Sequence, residues 1–145
     1  MSSTFEHEFT AGWGDMDFNG HMRNTAYLDL SGTVRMMYFE ACGFPMQAFE
    51  ELQFGPVIFK DEIEYLKELR LLERVRVTLE LAALSKNAGR FRIRNRFFHT
   101  DGRPVAVVTS AGGWLSFRER KLVPPPDALA EVLRGLPRAG DFEEI

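Results

Sequence analysis

The chain has 145 residues, 45% of them hydrophobic, which suffices for one domain with a single core and no disulfide or metal to hold it. Its 18 basic and 21 acidic residues leave a net charge of −3, so no global field draws it to nucleic acid or to an anionic membrane. An anionic ligand therefore has to be held by a local patch.

In chain order, Thr4 to Trp13 starts as a strand and runs into a loop, 14–21, dense in turn formers. From Asn24 to Ala41 the residues Tyr27, Leu28, Val34, Met37, Tyr38 and Ala41 recur at helical spacing, and Gly43 with Pro45 closes the segment. Gly32 inside this helix suggests close packing against a sheet. Cys42, the only cysteine, excludes an intramolecular disulfide and a cysteine-built zinc site. It reads as a small buried apolar residue in a reducing compartment.

A short amphipathic piece over Pro45 to Leu52 precedes four strand segments: Val57 to Leu66, Glu73 to Ser85, Arg90 to Thr100 and Pro104 to Phe117. Lys86-Asn87-Ala88-Gly89 and Thr100-Asp101-Gly102 read as hairpin turns between them. After Pro124-Pro125-Pro126, a short helix spans Ala128 to Arg134 with Asp127 as its N-cap. No repeat or low-complexity linker divides the chain, so residues 1–145 read as a single α+β domain, a sheet wrapped on one long helix. Such a sheet leaves a face and edges in need of cover, which points to a homo-oligomer. The polar N-terminus has no secretory pattern and no run approaches the roughly 18 apolar residues of a membrane span, so the expected location is cytoplasmic.

The stretch from Gly12 to Leu28 carries the chemistry. It sets Asp17 shortly before a helix start, where unpaired N–H groups and a partial positive charge can stabilise an oxyanion. A carboxylate there can activate water or attack a carbonyl. Spacing alone leaves a second reading open, in which Asp15, Asp17 and Asn19 cap the helix and shape the turn. His21 either orients the loop or contacts substrate. His7 and His99 read as sheet residues, with no metal-ligand spacing around them. Ser31, Ser85, Ser110 and Ser116 lack a nucleophile-elbow context.

Asp17, Gly20 and Asn24 fall on the pattern Asp-x-Asp-x-x-Gly-x-x-x-Asn/Tyr before a central helix, and the loop resembles that of the hotdog-fold thioesterases of the 4-hydroxybenzoyl-CoA thioesterase type. The Gly89 turn, the Asp-Gly-Arg-Pro-Val-Ala stretch at 101–106 and Arg120-Lys121 before Pro124 extend the resemblance. It implies a hotdog fold with an antiparallel sheet of about five strands, and an acyl-CoA thioesterase that needs no cofactor or metal. It also implies a homodimer or homotetramer with substrate at a subunit interface. Asp17 would be nucleophile or general base, the backbone N–H of Asn24 the oxyanion donor, and Gly20 the residue that lets the loop approach the thioester.

Coenzyme A is polyanionic, and the turn Ser85-Lys86-Asn87-Ala88-Gly89-Arg90 offers backbone donors and two cations to meet it. The resemblance implies the same turn, with Arg120 and Lys121 able to join it. Arg92, Arg94 and Arg96 share a face with Arg90 and read as a solvated or intersubunit ion-pair surface. Phenylalanines and methionines suit either an acyl tunnel or an ordinary core. Ser110-Ala111-Gly112-Gly113 leaves room either for substrate or for close strand packing. Two other functions stand beside hydrolysis of acyl-CoA: an acyl-carrier-protein thioesterase, and a non-catalytic acyl-CoA-binding hotdog protein. A hydratase lacks its Asp-x-x-x-x-His pattern here.

Overall fold

Strict alternation along the middle of the chain builds the sheet, because successive side chains of a strand point to opposite faces. In the computed structural model, which describes residues 4–145, β3 (Arg74–Leu84) buries Val75, Val77, Leu79 and Leu81. Next to it β4 (Arg90–His99) buries Phe91, Ile93, Asn95 and Phe97 on the same face. With β1 (Phe5–Thr10), β2 (Phe54–Tyr65) and β5 (Pro104–Ser116) they form an antiparallel sheet in the order β1-β3-β4-β5-β2. Two short strands join this five-stranded path: β6 (Lys121–Leu122) pairs with β5, and β7 (Arg138–Glu144) runs parallel to β3. The sequence reading contained neither.

The long helix α1 (Asn24–Ala41) lies on the buried face, as expected. Ala26, Tyr27, Ser31, Val34 and Tyr38 recur at helical spacing and are its buried stripe. Gly43, at φ +85°, sits just beyond the Cys42 cap, and Phe44 N–H returns to the Phe39 carbonyl at 2.8 Å to end the helix. The following α2 (Met46–Leu52) drives Phe49 under the sheet, where it stacks on Trp114 with centroids 6.2 Å apart. Phe39, Phe54 and Phe91 complete that cluster, and the Trp114 indole N–H donates to the Ala88 carbonyl at 3.0 Å. Six of the thirteen phenylalanines are thus buried in the core.

Several expectations change. The first strand stops at Thr10, and Trp13–Asp15 forms a 3₁₀ turn, since the Gly12 carbonyl accepts the Asp15 N–H. Cys42 is exposed, because the helix ends there and turns its last residues to the surface. A Cβ added at Gly32 would meet nothing within 4 Å, so this glycine marks no close helix–sheet contact. Asp127 is the first residue of α3 (Asp127–Arg134) and makes no cap hydrogen bond. Pro126 holds the N-cap position, and the Asp127 charge instead lies in the first turn, where the helix dipole favours it.

Gly112 answers the question left open for Ser110–Gly113. A Cβ there would press into the Val57 carbonyl oxygen of β2 and against the Phe91 ring, so the glycine permits close strand packing. The outer face of the sheet carries the arginine stripe, and three of its charges are paired within the chain. Arg92 meets Glu143 at 2.9 Å, Arg94 meets Asp141 at 2.6 Å, and Arg96 meets Glu80 at 2.6 Å. Asp141 and Glu143 belong to β7, whose place beside β3 was not visible in the alternation pattern. Among the described residues, no helix is long and apolar enough to cross a membrane.

Candidate active site

The loop before α1 is a tight, internally bonded turn. Asp17 N–H donates to the His21 carbonyl at 2.7 Å and Gly20 N–H to the Asp17 carbonyl at 3.1 Å, with Gly20 at φ +78°. That backbone angle is what calls for glycine here. The Asp17 carboxylate accepts two N–H groups on one oxygen, Asn19 at 2.8 Å and His21 at 3.1 Å. Its second oxygen has no hydrogen-bond partner among the described residues. Asp17 therefore shapes the turn but does not cap α1, whose N-cap is Arg23. Asp15 is the loop acceptor it was expected to be, taking Gly12 N–H at 2.9 Å.

A second chain segment clamps this loop from outside. Met22 N–H donates to the Leu69 carbonyl at 2.7 Å, and His21 forms a bridge with Arg70. The His21 ring Nε2 lies 2.8 Å from Glu68, whose other oxygen takes the Arg70 guanidinium at 2.7 Å. The Arg70 hydrogen bond, ahead of the charges of Arg70 and His21, holds the Glu68 carboxyl below its ordinary range. His21 thus ties the loop to the segment that carries Glu68 and Arg70.

At the start of α1 the N–H groups are unequally served. Thr25 N–H is taken by the Asn24 side-chain oxygen at 2.9 Å and Ala26 N–H by the Arg23 carbonyl at 3.0 Å. Asn24 N–H has no partner among the described residues, and Asn24 is exposed. A free donor at the positive end of an 18-residue helix can receive a developing oxyanion.

Asp17, His21 and Asn24 line one cleft of about 480 Å³ together with Arg23, Tyr27, Tyr65, Lys67 and Glu68. The sequence reading had not placed this second group at the site. Tyr27 looked like one more core position and Tyr65 like the end of the strand Val57 to Leu66, with Lys67 and Glu68 beyond it; only the docking of the β2–β3 connection against the loop brings them in. Burial, then the neighbouring Tyr65 and the Asp17 charge, pushes the Tyr27 phenol up to about 12.

The carrier-turn residues lie elsewhere. Ser85 and Asn87 close their own turn: Asn87 Oδ1 accepts Gly89 N–H at 2.8 Å, and Ser85 Oγ accepts Arg90 N–H at 2.9 Å. The backbone donors of Gly89 and Arg90, expected to face a ligand, are occupied within the turn. Lys86 lies beside Ser85 and Asn87 in a separate shallow depression, and the Arg90 guanidinium rests 5.1 Å over the Phe59 ring. Arg120 and Lys121 join the same end of the sheet. Arg90 stands opposite Gly113 and Lys121 opposite Ser116, three residues or about 10 Å farther along β5.

Comparison with known proteins agrees with this fold. No curated protein matches the chain in sequence. In structure it is similar to a hypothetical protein from Staphylococcus aureus in complex with CoA, at TM-score 0.84 and 19% identity, over 96% of this chain and 89% of that one. It is also similar to a 1,4-dihydroxy-2-naphthoyl-CoA thioesterase from Synechocystis, at TM-score 0.80 and 16% identity, over 91% and 96% of the two chains. A gentisyl-coenzyme A thioesterase matches at TM-score 0.78 and 18% identity, over 88% and 98%. The sequence profile of the thioesterase-like superfamily matches residues 11–133, from the loop through most of α3. The chain therefore belongs to the thioesterase-like superfamily, as a thioester hydrolase of the hotdog fold.

Proposed function

We propose that the protein hydrolyses acyl-CoA thioesters to the free acid and CoA, with Asp17 as the catalytic carboxylate. One observation carries the proposal: the half-free Asp17 carboxylate and the unpartnered Asn24 N–H line the same cleft. A thioester carbonyl set between them has a base or nucleophile on one side and an oxyanion donor on the other. Asp17 either takes a proton from water, whose hydroxide adds to the carbonyl carbon, or attacks that carbon itself. In both routes the carbonyl oxygen becomes an oxyanion against Asn24 N–H, and collapse of the intermediate expels CoA as its thiolate, leaving the free acid in the first route and, in the second, an anhydride on Asp17 that water hydrolyses to the acid. The turn fixed by Gly20 and His21 holds the carboxylate in place before substrate arrives.

CoA as carrier is supported by the similar Staphylococcus aureus structure, described in complex with CoA, and by the two named CoA thioesterases. Lys86, Arg90, Arg120 and Lys121, gathered at one end of the sheet, are the cations that would meet its phosphates. The edge of the sheet supports a homo-oligomer. The 12-residue β2 pairs on one side only, and apolar Trp13, Phe18, Tyr65 and Leu66 are exposed around the cleft. A second copy would cover them and wall the site. Thiol release from short, long and aromatic acyl-CoAs, set against matched acyl-carrier-protein esters, tests the proposal. Preference for the carrier-protein esters would overturn the assignment of CoA, and binding without turnover would overturn hydrolysis.

A further inference from the structure

Beyond the cleft, α1 and the edge strand β2 run on side by side. Tyr27 and Tyr65 meet at the near end, edge to face, with ring centroids 5.6 Å apart. Arg35 and Asp61 meet at the far end through Ser110. The eight residues from Tyr27 to Arg35 span about 12 Å of helix, and the four from Tyr65 back to Asp61 span about 13 Å of strand. Asp61, Ile63 and Tyr65 stand opposite Ser110, Val108 and Ala106, so they share the helix-facing side of β2. Asp61 and Tyr65 are nevertheless exposed, because β2 is the sheet edge. Helix and strand thus frame a track leading away from Asp17.

The far end of this track is polar by construction. Arg35 Nε donates to Asn95 Oδ1 at 3.0 Å and Nη2 to Ser110 Oγ at 2.7 Å. The Ser110 hydroxyl passes the chain on to Asp61, and Asn95 Nδ2 donates to the Thr78 carbonyl at 3.1 Å. Burial lowers the Arg35 pKa to about 10 against the opposing attraction of Asp61. Among the described residues Nη1 has no hydrogen-bond partner, and it is not a buried atom. An open N–H donor and a carboxylate acceptor therefore stand on either side of the Ser110 hydroxyl that links them. A hydroxyl can accept from the one and donate to the other, whereas a carboxylate would be repelled by Asp61. A hydrocarbon end would strip water from both groups and replace none of their hydrogen bonds.

We propose that the preferred acyl group is a medium-length chain with a hydroxyl at its far end, which accepts from Arg35 and donates to Asp61. The inference rests on the acyl-CoA reading above. A zigzag chain of ~1.5 Å bonds advances roughly 1.25 Å per bond, so about ten carbons span the track.

The test compares kcat/KM for 10-hydroxydecanoyl-CoA and 12-hydroxydodecanoyl-CoA with that for decanoyl-CoA and dodecanoyl-CoA. The ω-hydroxy ester should lead by about tenfold in at least one pair, as a hydrogen bond to a charged group allows. Asp61→Asn, at an exposed position and of equal size, should bring that ratio towards one, and Arg35→Met should do the same if it folds. Equal rates within both pairs, a preference for the plain chains, or a ratio unaltered by Asp61→Asn would overturn the inference while hydrolysis itself stands. Failure to hydrolyse any of the four would also overturn this inference, whereas the acyl-CoA reading falls only if short, long and aromatic esters fail as well.

Discussion

Asp17 and His21 hold each other twice: the Asp17 N–H donates to the His21 carbonyl at 2.7 Å, and the His21 N–H donates to the Asp17 carboxylate at 3.1 Å. The carboxylate is thereby fixed by the backbone of its own turn, with one oxygen left for chemistry. Asp17→Asn keeps the accepting oxygen and removes only the capacity to act as base or nucleophile. The expected result is a kcat lower by about a hundredfold or more, with KM and thermal stability nearly unchanged. Steady-state kinetics on the best acyl-CoA together with a melting curve decide this, and full activity in a folded variant would exclude Asp17 from catalysis.

At the carrier turn, Lys86→Ala and Arg90→Ala should each raise KM for CoA esters about fivefold, with kcat less affected. An exposed phosphate contact is worth about 1 kcal/mol and acts alike on ground and transition state. Short pantetheine esters, which lack the nucleotide, should show no such change. Identical KM values for parent and variants on full CoA esters would remove both residues from the binding surface.

In solution the protein should be at least a dimer, because β2 leaves its outer edge unpaired and the cleft is flanked by exposed apolar residues. Light scattering after size exclusion reads this directly. A monomer of 16.6 kDa with full turnover would show that one chain makes a complete site.

Gly112→Ala should destabilise the fold by about 1–3 kcal/mol, since the new methyl group must displace the Val57 carbonyl or the Phe91 ring. Gly32→Ala, in a helix with open space around it, should be neutral or slightly stabilising. Denaturant midpoints of the two variants give opposite signs on this account. Equal midpoints would mean that β2 and β5 separate more easily than their register suggests.

Alkali should unfold the protein through its buried phenols. The folded pKa of Tyr27 lies above its ordinary value of 10, at about 12, chiefly through burial, and burial raises that of Tyr38 as well. A group whose folded pKa is raised adds stability that is complete below pH 10 and is lost as pH climbs towards 12. Phenolate absorbance of these two residues should then rise together with loss of circular dichroism. Tyr27→Phe should flatten the fall in stability over that window, and an unaltered slope would show that Tyr27 is not the group responsible.

Local pattern was enough to place α1, because an apolar stripe at helical spacing closed by a glycine has no competing solution, and its limits came out as expected at Asn24–Ala41. Alternation likewise placed β3, β4 and β5 to within a residue or two, and the loop residues supplied the family resemblance. What sequence could not determine depends on which distant segments meet. Asp17 could cap or catalyse on spacing alone; in the fold Arg23 is the cap and the carboxylate faces the cleft instead. Tyr65 and Glu68 enter the site only because the β2–β3 connection docks on the loop, 40 and more positions away along the chain. Gly32 and Gly112 look alike in sequence, but open space surrounds the one and a strand carbonyl the other. Arg35 sits on a helical stripe as any solvated arginine would. Only the pairing of β5 with β2 puts Ser110 and Asp61 within its reach, since hydrogen-bond partners are set by sheet register and not by position along the helix.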